Sequence, residues 1–344
     1  MCHGLASRRN AGMNNSRKAL VVAINNYDSF SSLRHAESDA QAIGELLAFH
    51  GDGDRSRNFD VEKMLHSKVP VQRATLRAAI HELFANSRGL DLAFYFAGHG
   101  FVSDAGGYLV TADGIVNDYG ITMDELYTVA QRSSANSVLL VLDCCHSAAV
   151  GDSLAFGEDS QWSVLRENTT IMAASLPMQS AAESREGGLF SAALKDALDG
   201  AAADILGNIS LASVYDVIER RFSLWHQRPV AKSYVSRPIV LRRVRPRLSQ
   251  QELRRLPSFF LDPAHKYPLT PDHDPERDIN EVARTVELPD KVEIGRVFKR
   301  YRDAGLLEAT VRGEDFYYVA QRSHTVELTL FGREYWRLVA RGGV

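Results

Sequence analysis

The feature that most constrains this chain is an alternation, sustained from Lys18 to about residue 244, of short apolar runs with longer amphipathic segments. The runs "KALVVAINNY", "FDVEKML", "DLAFYFAGHG" and "SVLLVLDCCHS" are separated by "ESDAQAIGELLAFHG", "VQRATLRAAIHELFANS" and "ITMDELYTVAQRSSA". Near-continuous apolar runs suit strands covered on both faces, and the segments between them carry apolar residues at helical spacing. That order predicts βαβ units, hence an α/β domain with a mostly parallel sheet flanked by helices. After a polar stretch over 149–168 the pattern resumes with a strand in "TTIMAAS", a helix in "GLFSAALKDALDG" ending on Gly200, a helix in "SLASVYDVIERRFSLWH" capped by Ser210, and a late strand in "RPIVLRRV".

A chain of 344 residues exceeds the usual span of one core, so a second, smaller domain is expected. The reading divides it into a tail at 1–16, the α/β domain at 17–245, a linker at 246–271 rich in proline and arginine, and a smaller α+β domain at 272–344. In the last, "DINEVARTVEL" and "KVEIGRVFKRYRDAGLLEAT" read as helices, and "DFYYVAQ" with "TVELTLFGREYWRLVA" as a two-stranded hairpin, a pattern that resembles a winged helix-turn-helix. A net charge of −3 and 45% hydrophobic residues imply no bulk attraction to nucleic acid. No apolar run reaches the ~18–20 residues of a membrane span, and none has signal-peptide character, so no membrane partner is expected. The three cysteines are Cys2, Cys144 and Cys145. Adjacent cysteines rarely pair, which leaves no disulfide framework and points to a reducing, cytoplasmic location.

Two strands end in reactive groups. In an open parallel sheet the carboxyl ends of the strands face the ligand crevice, and there the chain places His99 after "LAFYFAG" and Cys144, Cys145 and His146 after "SVLLVLD". A thiolate is the nucleophilic form of cysteine, and a neighbouring imidazole can take its proton. Gly98 and Gly100 let the backbone turn closely around His99, and the Gly100 N–H is a candidate oxyanion donor beside the N–H of the nucleophile. Zinc is the rival reading for Cys144, Cys145 and His146. Three consecutive residues on an extended chain point to alternate faces, however, and no second ligand cluster completes four donors, so no metal is expected.

"YFAGHG" followed by "DCCHSA", with His99 and Cys145 46 residues apart, resembles the caspase-type cysteine peptidases, whose histidine precedes the cysteine by about 50 residues. The similarity runs from about Arg17 to Val244. The "D-x-C-H-S" form is that of metacaspases and their prokaryotic relatives; the animal-caspase "Q-A-C-x-G" string is absent. By that match Cys145 is the nucleophile, His99 the base and Cys144 a structural neighbour. Animal caspases read an acidic P1 residue with arginine and glutamine, but this chain carries Asp143 two residues before the nucleophile, and Asp39 falls where metacaspase-like sequences carry an aspartate. Two carboxylates in one pocket suit a guanidinium. The resemblance therefore implies a cysteine endopeptidase cutting protein or peptide substrates after Arg, and less readily after Lys. Ser175 and Glu183, in "AASLPMQSAAES", match a segment lining the family's cleft. Arg166 and Arg185 offer self-cleavage points. Calcium activates some relatives; Asp152, Glu158 and Asp159 match no defined calcium loop, so no resident cofactor is expected, and activation by calcium stands as the alternative.

The C-terminal segment bears on partners. Residues 272–344 hold 14 acids and 12 Lys or Arg, which fits docking to a regulatory protein better than DNA, since a DNA-binding domain usually presents a basic footprint. The alternative function is a catalytically silent caspase-like scaffold, or a winged-helix DNA-binding regulator.

Overall fold

The computed structural model describes residues 16–103, 106–144, 165–174, 188–222, 229–274, 288–311 and 313–343. The chain forms two compact units, one of residues 1–203 with 208–244 and one of 204–207 with 245–344.

The first unit is built on a six-stranded sheet. Its strands are β1 (Arg17–Ala23), β2 (Asp60–Leu65), β3 (Asp91–Gly98), β7 (Ser137–Cys144), β8 (Thr169–Ala173) and β10 (Val230–Tyr234), in the order β10-β8-β7-β3-β1-β2. All neighbours pair in parallel except β10, which runs antiparallel to β8. Helices α1 (Ala36–Ala48), α4 (Leu189–Asp196) and α5 (Leu211–Arg221) cover one face; α2 (Arg73–Phe84) and α3 (Met123–Arg132) cover the other. Strand alternation divides the core accordingly. Ala93, Tyr95 and Ala97 of β3 join the α1 side, whereas Phe94 and Phe96 join the α2 side. Both faces are sealed, which is why "DLAFYFAG" reads as one apolar run. Strands β9 (Asn208–Ser210) and β11 (Val240–Arg243) form a separate antiparallel pair, and Ser210 caps α5, its hydroxyl accepting from the Ser213 N–H.

Two features of this unit escape the sequence pattern. Between β3 and α3 lies a separate antiparallel sheet of β4 (Gly100–Ser103), β5 (Gly106–Ile115) and β6 (Asp118–Thr122). Its glycine-rich strands carry little periodicity; Gly120, at φ 153°, packs its Cα against the Leu109 carbonyl where a Cβ would stand 2.3 Å away. Strand β10, "VAKSY", is a short edge strand with exposed polar positions, so it lacks the apolar signal of its neighbours.

The second unit departs further from expectation. The stretch 246–271, expected as a linker, carries helices α6 (Gln250–Arg254) and α7 (Leu256–Phe259) and strand β12 (Lys266–Pro268). Ser249 and Glu252 form a capping box, and Leu248, Leu253, Leu256, Phe260 and Leu269 are buried in the unit's core. Here proline punctuates short elements and does not prevent them. Helix α8 (Leu288–Asp303) precedes β13 (Leu307–Ala309), and then "DFYYVAQ", expected as a hairpin strand, is helix α9 (Phe316–Gln321). The Asp315 carboxylate accepts the Tyr317 N–H at 2.9 Å, and Phe316, Val319 and Ala320 are buried at helical spacing. A good N-cap with an amphipathic face outweighs the β-propensity of the aromatics. In "TVELTLFGREYWRLVA" only β14 (Thr325–Leu328) is extended; Thr329 then caps helix α10 (Leu330–Ala340). Strands β13 and β14 are antiparallel neighbours joined through α9, not by a hairpin turn, and β12 completes the sheet on the other side of β14.

Candidate active site

Strands β3 and β7 lie side by side in parallel, and their last paired residues are Gly98 and Cys144. His99 is therefore the next residue after one strand end, and Cys145 follows the other in the chain. Cys145 lies outside the described residues, as do Ser175 and Glu183. Cys144 is 4% exposed and packs with Leu140 and Leu142 in the cluster beneath α2 and α3, whereas Asp143 points to the opposite face with Tyr95. Cys144 is thus a core residue.

His99 is half-buried and held by the segment that follows β1. Its Nε2 lies 2.7 Å from the Ser31 carbonyl and 3.4 Å from the Ser31 hydroxyl, and its ring packs at 4.7 Å against Tyr27. A carbonyl only accepts, so Nε2 carries the proton and Nδ1 of the neutral ring is the basic nitrogen. The Tyr27 hydroxyl accepts the His99 backbone N–H at 2.7 Å. It also explains Gly98, because a Cβ there would stand 2.6 Å from that oxygen and 3.0 Å from the Phe96 ring.

The loop bearing Tyr27 and Ser31 is clamped in turn. Leu33 N–H donates to the Asn25 carbonyl at 2.7 Å, closing the loop on itself. Glu37, 8% exposed, accepts the Asn25 and Ser67 N–H groups at 3.3 Å each and the Ser67 hydroxyl, while its own N–H donates to the Asn25 side chain. A buried carboxylate with that many donors locks the loop after β1 to the loop after β2. β1 has its sequential neighbours β2 and β3 on opposite sides, so the crevice at its end is a topological switch point, the usual ligand position in such sheets.

Gly100 begins β4 opposite Leu109. The His99 carbonyl accepts the Val110 N–H at 3.0 Å, and in a trans peptide the carbonyl and the following N–H point in opposite directions. The Gly100 N–H is therefore aimed away from β5, on the open side of an edge strand.

The two predicted pocket carboxylates belong to one polar cluster on the α1 side of the sheet. Asp143 Oδ2 accepts the Tyr95 hydroxyl at 3.1 Å and the Ser191 hydroxyl, and the two hydroxyls are 3.3 Å apart. Burial raises Asp143 from its ordinary 3.8 to about 7, opposed by the Tyr95 hydrogen bond, with the Asp39 charge raising it further and Lys195 lowering it. Burial and the Asp143 charge push the Tyr95 phenol well above its usual range. Asp39, 5% exposed in the first turn of α1, is paired with Lys195 of α4, Nζ to Oδ1 at 2.7 Å.

A family model described as "Caspase domain" matches residues 16–255. The chain belongs to the caspase family. The caspase domain supports a cysteine peptidase, a hydrolase of protein substrates. Among solved structures, caspase-1 from Spodoptera frugiperda is similar at 15% identity, with a TM-score of 0.48, over 70% of this chain and 99% of that one. Among curated proteins none matches.

Sequence reasoning missed six partners in the caspase domain: Tyr27, Ser31, Glu37, Tyr95, Ser191 and Lys195. Tyr95 left a trace, because a hydroxyl inside a strand sealed on both faces must find a partner. Lys195 left another, as a lone cation in "LFSAALKDAL". Arg166, read as a self-cleavage point, is partly buried; its backbone N–H donates to Gln131 at 2.9 Å and its guanidinium to the Ala135 carbonyl. Arg185 and the acids Asp152, Glu158 and Asp159 lie outside the described residues. Among the described residues no three His, Cys, Asp or Glu side chains cluster as metal ligands, and no helix is long and apolar enough to cross a membrane.

Proposed function

We propose that this protein is a metacaspase-type cysteine endopeptidase that cleaves proteins after basic residues, Arg before Lys, using Cys145 as nucleophile and His99 as base. The observation that carries the reading is the register of β3 on β7, with Gly98 opposite Cys144, because the imidazole and the second thiol each follow directly from paired positions on adjacent strands. The proton on the His99 Nε2 is committed to the Ser31 carbonyl, which leaves Nδ1 to accept the Cys145 proton. The thiolate attacks the scissile carbonyl, and the N–H groups of Gly100 and Cys145 hold the resulting oxyanion. Protonated His99 then gives its proton to the leaving amine, and water hydrolyses the acyl-enzyme. Asp39 and Asp143 receive the P1 cation, and Ser175 and Glu183 line the cleft beside it. The C-terminal unit, read as winged-helix-like, serves as a sensor or adaptor for a protein partner, with DNA the less favoured occupant.

Fluorogenic peptides differing only at P1 test this with the full chain and two variants. Arg peptides should be cut, C145A should be inert, and C144A should keep most of the activity. Cleavage of Asp peptides with Arg peptides left intact would overturn the pocket. If a thiol-reactive Arg probe never labels Cys145, the silent scaffold becomes the better reading.

A further inference from the structure

The Asp39–Lys195 pair is unusual for a pocket that has to take up a cation, because the protein has already placed one of its own there. Asp39 sits in the first turn of α1 and Lys195 near the end of α4, two helices whose apolar faces share one core with Ala40, Ile43, Ala193 and Leu194. The ammonium reaches Asp39 Oδ1 at 2.7 Å from a side chain that is itself mostly covered. Among the described residues, no cation is paired with the second carboxylate in that way. Asp143 Oδ2 is met by two neutral hydroxyls, from Tyr95 on β3 and Ser191 on α4. Among the described residues, the charged groups acting on Asp143 are Asp39 from α1 and Lys195 from α4, and they act in opposite senses.

We propose that Lys195 is the specificity-determining counter-ion of the P1 pocket, holding the Asp39–Asp143 pair at one uncompensated negative charge, which a single P1 guanidinium or ammonium then neutralises. The inference rests on the reading of Asp39 and Asp143 as the P1 carboxylates. The physical reason is that two close like charges oppose each other's ionisation, so without a cation the pair keeps one proton; Lys195 takes the place of that proton and leaves both carboxylates as anionic acceptors around a single net negative charge. With one carboxylate satisfied by Lys195, the other ionises near neutral pH and remains available to substrate. Lys195 therefore lowers the pH at which Asp143 becomes an anionic acceptor for a basic residue, without meeting the scissile bond.

The test is KM as a function of pH for an Arg-P1 peptide on the full chain, with K195Q, K195M and K195R beside wild type. In K195Q the amide can still donate to Asp39, so charge is removed with little loss of packing; K195M is read in parallel so that either folded charge-free chain suffices. A folded charge-free chain should show KM raised on the order of tenfold near pH 7.5, as expected for the loss of one charge-assisted hydrogen bond to the P1 cation. The deficit should shrink at still higher pH, as the proton held by the carboxylate pair is lost. K195R should stay near wild type. Folded K195Q or K195M with a wild-type KM–pH profile would overturn the inference while leaving the P1 reading intact. Wild type that ignores Arg-P1 peptides at every pH would instead bring down the P1 reading itself.

Discussion

Asp143→Asn isolates the cost of keeping a carboxylate under the sheet's α1 face. Burial raises Asp143 from 3.8 to about 7, so the folded chain binds this proton more tightly than the unfolded chain. The stabilisation is complete below the unfolded value and is lost as pH rises through about 7. At about 1.4 kcal/mol per pH unit between the two values, the ionised group costs on the order of 4 kcal/mol above neutrality. Between about pH 5 and pH 8 the cost grows by on the order of 3 kcal/mol, and solvent reaching this half-buried residue reduces that to about half. Asparagine stays neutral and its carbonyl can still accept the Tyr95 and Ser191 hydroxyls. Thermal unfolding of both chains, followed by circular dichroism, should therefore show D143N gaining on wild type by roughly 5 °C from about pH 5 to pH 8, at about 2–4 °C per kcal/mol for a unit of this size. The same variant should lose cleavage after Arg. A gap between the two chains that does not change with pH, or a D143N chain weaker than wild type at pH 8, would refute the account of Asp143 as an enclosed, poorly compensated carboxylate.

Other perturbations probe the supports of the site. C144A removes a sulfur packed beneath α2 and α3 and should cost about 1–2 kcal/mol in a denaturant titration while turnover persists; inactivity in a folded chain would move the nucleophile to Cys144. E37A unclamps the loop that presents the Ser31 carbonyl to His99 and should lower kcat on the order of tenfold with little change in KM, so an unchanged kcat would sever Glu37 from the catalytic geometry. G98A drives a methyl group toward the Tyr27 oxygen, 2.6 Å from its ideal position, and should slow labelling of Cys145 by an Arg-based thiol-reactive probe; Y27F in the same chain should recover part of the rate, and no recovery would mean the clash lies elsewhere.

Much of the caspase domain was legible because its strands are sealed on both faces. Runs such as "DLAFYFAG" and "SVLLVLDC" have no polar alternation to confuse them with surface strands, and the residues that follow them are the proposed catalytic pair. The β4–β6 sheet and edge strand β10 were not legible, since both lack a continuous apolar run. In the second unit, "DFYYVAQ" misled because aromatic residues favour strands on average, whereas Asp315 supplies a cap that no composition average records. Prolines in 246–271 likewise marked the borders of α6, α7 and β12, and the burial of Leu253, Leu256 and Phe260 could not be seen without the partners they pack against.

What the sequence by itself determined was the order of the sealed strands and the reactive residues at their ends, because hydrophobic periodicity and strand termination are local properties written in neighbouring positions. Which atoms meet across the sheet was decided only in three dimensions. The Ser31 carbonyl on His99, the Glu37 clamp, and Lys195 on Asp39 across 156 residues of chain are contacts between distant segments. Their energies depend on distance and burial, and those quantities come into existence only when the helices close over the sheet.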